Sequence, residues 1–130
     1  WIITMITNFK KIGEYVQPNQ YAIYEKFIGK NKSKKIPIVY LLVVNNEIKY
    51  IGESRRGYTR PLSFNKNKVM NKQRKEIYKT TSSNQKVEVF AYEVPFTNQI
   101  INGLKIEIYT GQDYEKALIK KYEPEWNGRT

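Results

Sequence analysis

Apolar residues run almost unbroken from Ile36 to Val44, and many are β-branched. A run of this kind reads as a strand buried on both faces. Asn45-Asn46 follows and signals a turn, because Asn tolerates left-handed backbone. Glu47–Ile51 returns as a second strand, ended by Gly52. The length of the turn decides which side chains share a face. A two-residue turn at Asn45-Asn46 pairs Leu41 with Tyr50 and leaves Tyr40 and Tyr50 on opposite faces. A three-residue loop, Asn45–Glu47, pairs Leu42 with Tyr50 and puts Tyr40, Leu42, Tyr50 and Gly52 on one face. The three-residue loop is expected.

Elsewhere the pattern is less regular. Phe9–Ile28 mixes apolar and polar positions without a strict period and reads as a short helix or an arm folded onto the core. Gly29–Lys35, GKNKSKK, is a basic linker. Thr59 suits an N-cap and Pro61 a first helical turn, which predicts a helix over Arg60–Lys79. Thr80–Gln85 is a loop. Lys86–Phe96 alternates, with Val87, Val89 and Ala91 on one face and Phe90, Tyr92 and Val94 on the other, and is the third strand. Thr97–Gly103 reads as a loop and Leu104–Tyr109 as a short extra strand. Asp113 suits an N-cap for a last helix, Tyr114–Tyr122, which stops before Pro124. The fold class expected is α+β: a small three-stranded antiparallel sheet flanked by helices, with an N-terminal arm and a short insert before the last helix. Residues 1–35 form the arm and basic linker, and residues 36–130 the main domain.

Composition narrows the function. The 130 residues carry 23 Lys+Arg against 12 Asp+Glu, a formal charge of +11. Such an excess favours a polyanionic partner, most often nucleic acid. A membrane is disfavoured, because no apolar run is long enough to span one, and the start shows no signal-peptide pattern. The absence of Cys fits a reducing compartment, so a cytoplasmic setting is expected. The absence of His excludes a His general base and His metal ligands. Catalysis would have to use Tyr, Lys, Arg, Asp, Glu, backbone or metal-bound water. The cationic candidates for phosphate contact are Lys34, Lys35, Arg55, Arg56, Lys66, Lys68, Lys72, Arg74 and Lys75.

Three residues outside the hairpin add chemistry. Glu115 shares a helical stripe with Leu118, Ile119 and Tyr122. It is either an acid in the first turn of the last helix, favourable to the helix dipole, or a carboxylate at the core's edge that can hold a hard divalent ion. Arg60 follows Tyr50 at the predicted start of the next helix, where a guanidinium can grip a phosphate with two prongs. Asn127 lies in the closing EPEWNGRT.

In this order the landmarks Tyr40, Tyr50, Arg60, Glu115 and Asn127 resemble those of the GIY-YIG nucleases. The resemblance covers Ile36 to Asn127. It rests on VY-x9-YIG in Val39–Gly52, KVEVFAYE in Lys86–Glu93 and EKALIKKYEPEWN in Glu115–Asn127. It is nearest to the subgroup of phage endonuclease II enzymes and GIY-YIG type II restriction enzymes. Ile38 stands in place of the first Gly of the signature, and Phe64 where many members carry a His. The resemblance implies a DNA endonuclease acting on double-stranded DNA, restriction-type in preference to phage-type, with Mg²⁺ or Mn²⁺ as cofactor. By it, Tyr40 is the general base or positions the water, with its pKa lowered by metal, Lys49 or Arg60. Tyr50 orients the water or phosphate, Arg60 stabilises charge, Glu115 holds the metal, and Asn127 buttresses the site. One active site cuts one strand, so cutting both implies a homo-oligomer, a dimer or higher. The competing reading is a non-catalytic basic nucleic-acid-binding module, for which an acid in a basic cleft has no use.

Overall fold

The computed structural model describes residues 8–17, 20–23, 36–62 and 72–128. Lys34, Lys35, Lys66, Lys68 and Phe64 lie outside the described residues, as does the middle of the helix expected over Arg60–Lys79. The strands are β1 (Lys10–Gln17), β2 (Gln20–Ile23), β3 (Ile38–Val44), β4 (Glu47–Ser54), β5 (Val87–Glu93), β6 (Phe96–Ile101) and β7 (Leu104–Tyr109). The helices are α1 (Lys72–Ser82) and α2 (Gly111–Tyr122).

The α+β class holds, but the main sheet has five strands, in the order β2-β1-β5-β3-β4, and not three. The two extra strands come from the stretch read as a short helix or arm. β1 pairs antiparallel with β5, and β2 with β1. Register shifts between Lys11 and Gly13 and between Glu14 and Gln17 break the two-residue period there. Such bulges move side chains out of simple alternation, which is why the sequence pattern is blurred. Ile12 and Tyr15 are nonetheless fully buried.

β3 lies between β5 and β4, and all seven of its residues are buried, as its unbroken apolar run predicts. Its two sets of side chains seed two cores. On one face Ile38, Tyr40, Leu42 and Val44 join Ile12, Tyr15, Val87, Val89, Ile77 of α1 and Trp126. On the other, Val39, Leu41 and Val43 join Ile48, Ile51, Val94 and Leu118 of α2. Helices therefore cover both faces. Ile38 is wholly inside, so this chain uses a core side chain where the signature has Gly. Among the described residues no helix is long and apolar enough to cross a membrane.

Three further expectations change. Arg60 opens no helix: Gly57–Thr59 is one turn of 3-10 helix, and Arg60 follows it in a turn. The stretch read as the loop Thr97–Gly103 is mostly strand β6, which pairs with β7 around Asn102-Gly103. Both turn residues have positive φ, 53° and 77°, the conformation that makes Asn-Gly a hairpin turn. Finally, α2 begins at Gly111 after Thr110, so Asp113 sits inside its first turn and Glu115 beyond it.

Candidate active site

The hairpin β3–β4 places both tyrosines on one face, by a different device from the one expected. The turn has two residues, Asn45 and Asn46, with φ of 52° and 65°. Val44 faces Glu47 and Val43 faces Ile48, but Leu42 then faces Tyr50 and Tyr40 faces Gly52. The register slips by one between Leu42 and Val43, so Lys49 is an extra residue, a β-bulge. One inserted residue flips everything beyond it to the other face. Ile48 and Ile51, an odd spacing apart, consequently share a core, and Tyr50 comes round to Tyr40. The two rings lie 6.0 Å apart at 45°. The bulge is held by charge: the Lys49 ammonium is 2.9 Å from Glu125 and 3.4 Å from Glu47.

Gly52 permits the close approach of Tyr40. A Cβ there would lie 2.4 Å from Tyr40 Cζ and 2.5 Å from its hydroxyl oxygen. The hydroxyl receives a hydrogen bond from Arg60 and donates one to Tyr50. Arg60 is delivered by a pinned turn. Tyr58, Pro61 and Leu62 are buried around it, the Tyr15 hydroxyl donates to the Pro61 carbonyl at 2.7 Å, and Tyr58 donates to Glu93 at 2.5 Å.

Burial, and then the neighbouring Tyr50, push the Tyr40 phenol far above its ordinary pKa, although Arg60 pulls the other way. Arg60 supplies the expected lowering but does not prevail, and Lys49 does not contribute to it. Lys49 is engaged by two glutamates, and Arg60 is outweighed by desolvation. In this arrangement the Tyr40 hydroxyl accepts from Arg60 and donates to Tyr50.

Glu115 approaches from the other side of the sheet. It lies on α2, whose Leu118, Ile119 and Tyr122 pack on the second core, and is half-buried. β4 is the last strand of the sheet among the described residues, and Glu115 raises the pKa of its Tyr50 after the larger effect of burial. Burial, and then Glu53, raise the Glu115 carboxyl. A carboxylate held in a desolvated place against a second carboxylate suits a cation. Among the described residues no three His, Cys, Asp or Glu cluster to cage one. That donor set fits a hard ion such as Mg²⁺, which takes one or two carboxylates and completes its shell with water and phosphate.

Asn127 caps the exposed edge of β4. Its side-chain oxygen accepts from the Ile51 N–H at 2.9 Å, and its amide donates to the Ile51 carbonyl at 2.9 Å. It touches neither tyrosine hydroxyl; it holds the strand between Tyr50 and Gly52. Of the expected cationic contacts, Arg55 and Arg56 are exposed just past β4, and Lys72 and Lys75 are exposed on α1, with Arg74 half-buried. Sequence reasoning missed Glu53 and Tyr109. The Tyr109 hydroxyl donates to Glu53 at 2.5 Å, across a separation that no local pattern reveals.

No family model and no curated protein matches this sequence. Solved structures similar to it include two nucleases. A mutant of bacteriophage T4 EndoII is 20% identical with a TM-score of 0.70, covering 96% of this chain and 96% of its own. Restriction endonuclease HPY188I in complex with product DNA is 20% identical with a TM-score of 0.48, covering 95% of this chain and 82% of its own. The chain has the fold of phage EndoII over nearly its whole length, the α+β fold that the GIY-YIG resemblance implies.

Proposed function

We propose that this chain is a metal-dependent endonuclease hydrolysing phosphodiester bonds in double-stranded DNA. What supports the reading is the hydrogen-bonded group of Tyr40 on β3, Tyr50 on β4 and Arg60, with the Glu115 carboxylate acting on Tyr50, in a chain of charge +11 with the EndoII fold. Arg60, reaching Tyr40 from a fixed turn, is placed to stabilise charge developing on a phosphate. Tyr40 and Tyr50 form a hydrogen-bonded pair that orients the attacking water. Glu115 would hold a divalent ion, Mg²⁺ or Mn²⁺, with Glu53 adding negative charge nearby. Such an ion supplies Lewis-acid stabilisation of the phosphate and the leaving 3′ oxygen. Asn127 keeps Tyr50 and Gly52 in place through the Ile51 backbone.

The finer reading is restriction-type, sequence-specific cutting by a homo-oligomer in the cytoplasm, which the resemblance to type II enzymes suggests. Plasmid incubated with Mg²⁺, followed by sequencing of the ends, tests it. Discrete ends at one short palindrome are expected, and scattered ends would replace this reading with phage-type degradation.

Two smaller predictions belong here. DNA affinity is expected to fall steeply with salt, by ~10³–10⁵-fold between 50 and 200 mM if ~6–10 phosphates are contacted. A titration that stays flat would remove DNA as the partner. Gly52→Ala is expected to push the Tyr40 ring off Arg60 and Tyr50. The overpacking costs ~1–3 kcal/mol of stability, while the displaced hydroxyl costs on the order of 10²-fold in cleavage rate. Single-turnover rates and melting curves on the same sample check both; an active, folded Gly52→Ala protein would show that the Tyr40 hydroxyl is not needed where it lies.

A further inference from the structure

We propose that Arg55 is a preset phosphate clamp beside the candidate active site, and that Tyr109, delivered by the β6–β7 hairpin, is its positioning residue. The inference rests on the endonuclease reading and deepens it.

Arg55 follows β4 directly, three residues past Gly52. Its side chain is 61% exposed, yet it is held on two sides. The guanidinium carbon stands 4.7 Å from the centroid of the Tyr109 ring, and Nε lies 3.9 Å from Glu53 Oε2. That same Oε2 accepts the short bond from Tyr109, so ring, carboxylate and guanidinium form one assembly. The ion pair is at the long end of contact, and the carboxylate oxygen is bound chiefly to the phenol. Arg55 is thus oriented by Glu53 more than it is consumed by it. The contacts use Nε and the guanidinium carbon over the ring. The remaining edge, with two terminal nitrogens, is the one that grips a phosphate with two parallel bonds. A long, exposed arginine normally loses rotamer freedom on binding; one already stacked loses less.

The position of Tyr109 is built. A Cβ on Gly111 would lie 2.0 Å from the Tyr109 hydroxyl oxygen and 2.2 Å from Cζ, so the ring reaches Glu53 only because α2 opens with a bare residue. Phe96 packs on the ring's side at 5.2 Å, tying it to the root of the hairpin. The hairpin itself carries just Lys105 and Glu107 as charged residues between Phe96 and Tyr109. Its contribution to DNA binding therefore runs through Tyr109 and not through cations of its own.

The test measures binding of a short duplex oligonucleotide in Ca²⁺, over a series of salt concentrations. Arg55→Ala is expected to weaken binding on the order of tenfold and to reduce the slope of log K against log salt by about one. Tyr109→Ala is expected to weaken it about two- to fivefold, the size of a cation–π contact near the surface. Tyr109→Phe, which keeps the ring, should recover most of that loss. Gly111→Ala, which adds one methyl group in a helix and displaces the ring, should resemble Tyr109→Ala. In the Arg55→Ala background, Tyr109→Ala should cost nothing more; a merely structural Tyr109 would cost the same in both backgrounds, and that result overturns its role. An unchanged affinity and slope for Arg55→Ala overturns the clamp while leaving the endonuclease reading standing. Failure of the unsubstituted protein to bind the duplex defeats both.

Discussion

Glu115→Gln is expected to abolish Mg²⁺-dependent cleavage while leaving the protein folded and bound to DNA. Glutamine keeps the size and removes the charge that a hard cation requires. DNA affinity should stay the same or rise, because an anion near the phosphate path is gone. Stability separates this from a structural role. Burial and Glu53 raise the Glu115 carboxyl above its ordinary pKa, so its ionised form is disfavoured in the fold. The folded state is relatively stabilised when Glu115 is protonated, and loses that advantage as pH rises through the unfolded and then the folded pKa. The substitution removes the disfavoured charge. Its melting temperature near neutrality should equal or exceed that of the unsubstituted protein, and the difference should shrink as pH falls through the carboxylate range. Loss of cleavage together with a large drop in melting temperature would mean that Glu115 supports the fold instead.

Arg60→Ala is the second large effect. As a preorganised donor that meets Tyr40 and the developing phosphate charge, Arg60 should be worth ~10²–10³-fold in rate. DNA binding should weaken as well, because a cation has been removed from the phosphate path. Arg60→Ala thus weakens DNA binding where Glu115→Gln does not, although both lose activity. Cleavage rates, equilibrium binding in Ca²⁺ and melting curves on both proteins check this. If Arg60→Ala cuts at the original rate, the hydrogen bond to Tyr40 is only packing.

The parts legible in the sequence are those governed by short periods. The unbroken run of β3, the alternation of β5 and the stripe Glu115–Leu118–Ile119–Tyr122 are all where their patterns put them. The shared face of Tyr40 and Tyr50 was legible too, but its cause was not. An extra residue can be placed in the turn or along the strand, and the sequence alone does not distinguish a longer loop from a bulge at Lys49. The same difficulty hid β1, whose bulges blur its alternation. In Phe96–Tyr109 the Asn102-Gly103 turn is a signal, yet the polar Thr97–Gln99 stretch of β6 reads as loop. Glu53 and Tyr109 meet across 56 positions, and what allows them to meet is the absence of a side chain at Gly111, which carries no pattern of its own.

The most direct test of the central claim is cleavage by the unsubstituted protein. Supercoiled plasmid should remain intact when protein is added with a chelator. It should be nicked and then linearised when Mg²⁺ or Mn²⁺ is supplied in excess, with the reaction halting when chelator is restored. A protein that retards the plasmid in a salt-dependent way yet leaves every strand whole in both metals would be a basic binding module, and the account given for Tyr40, Tyr50, Arg60 and Glu115 would be wrong.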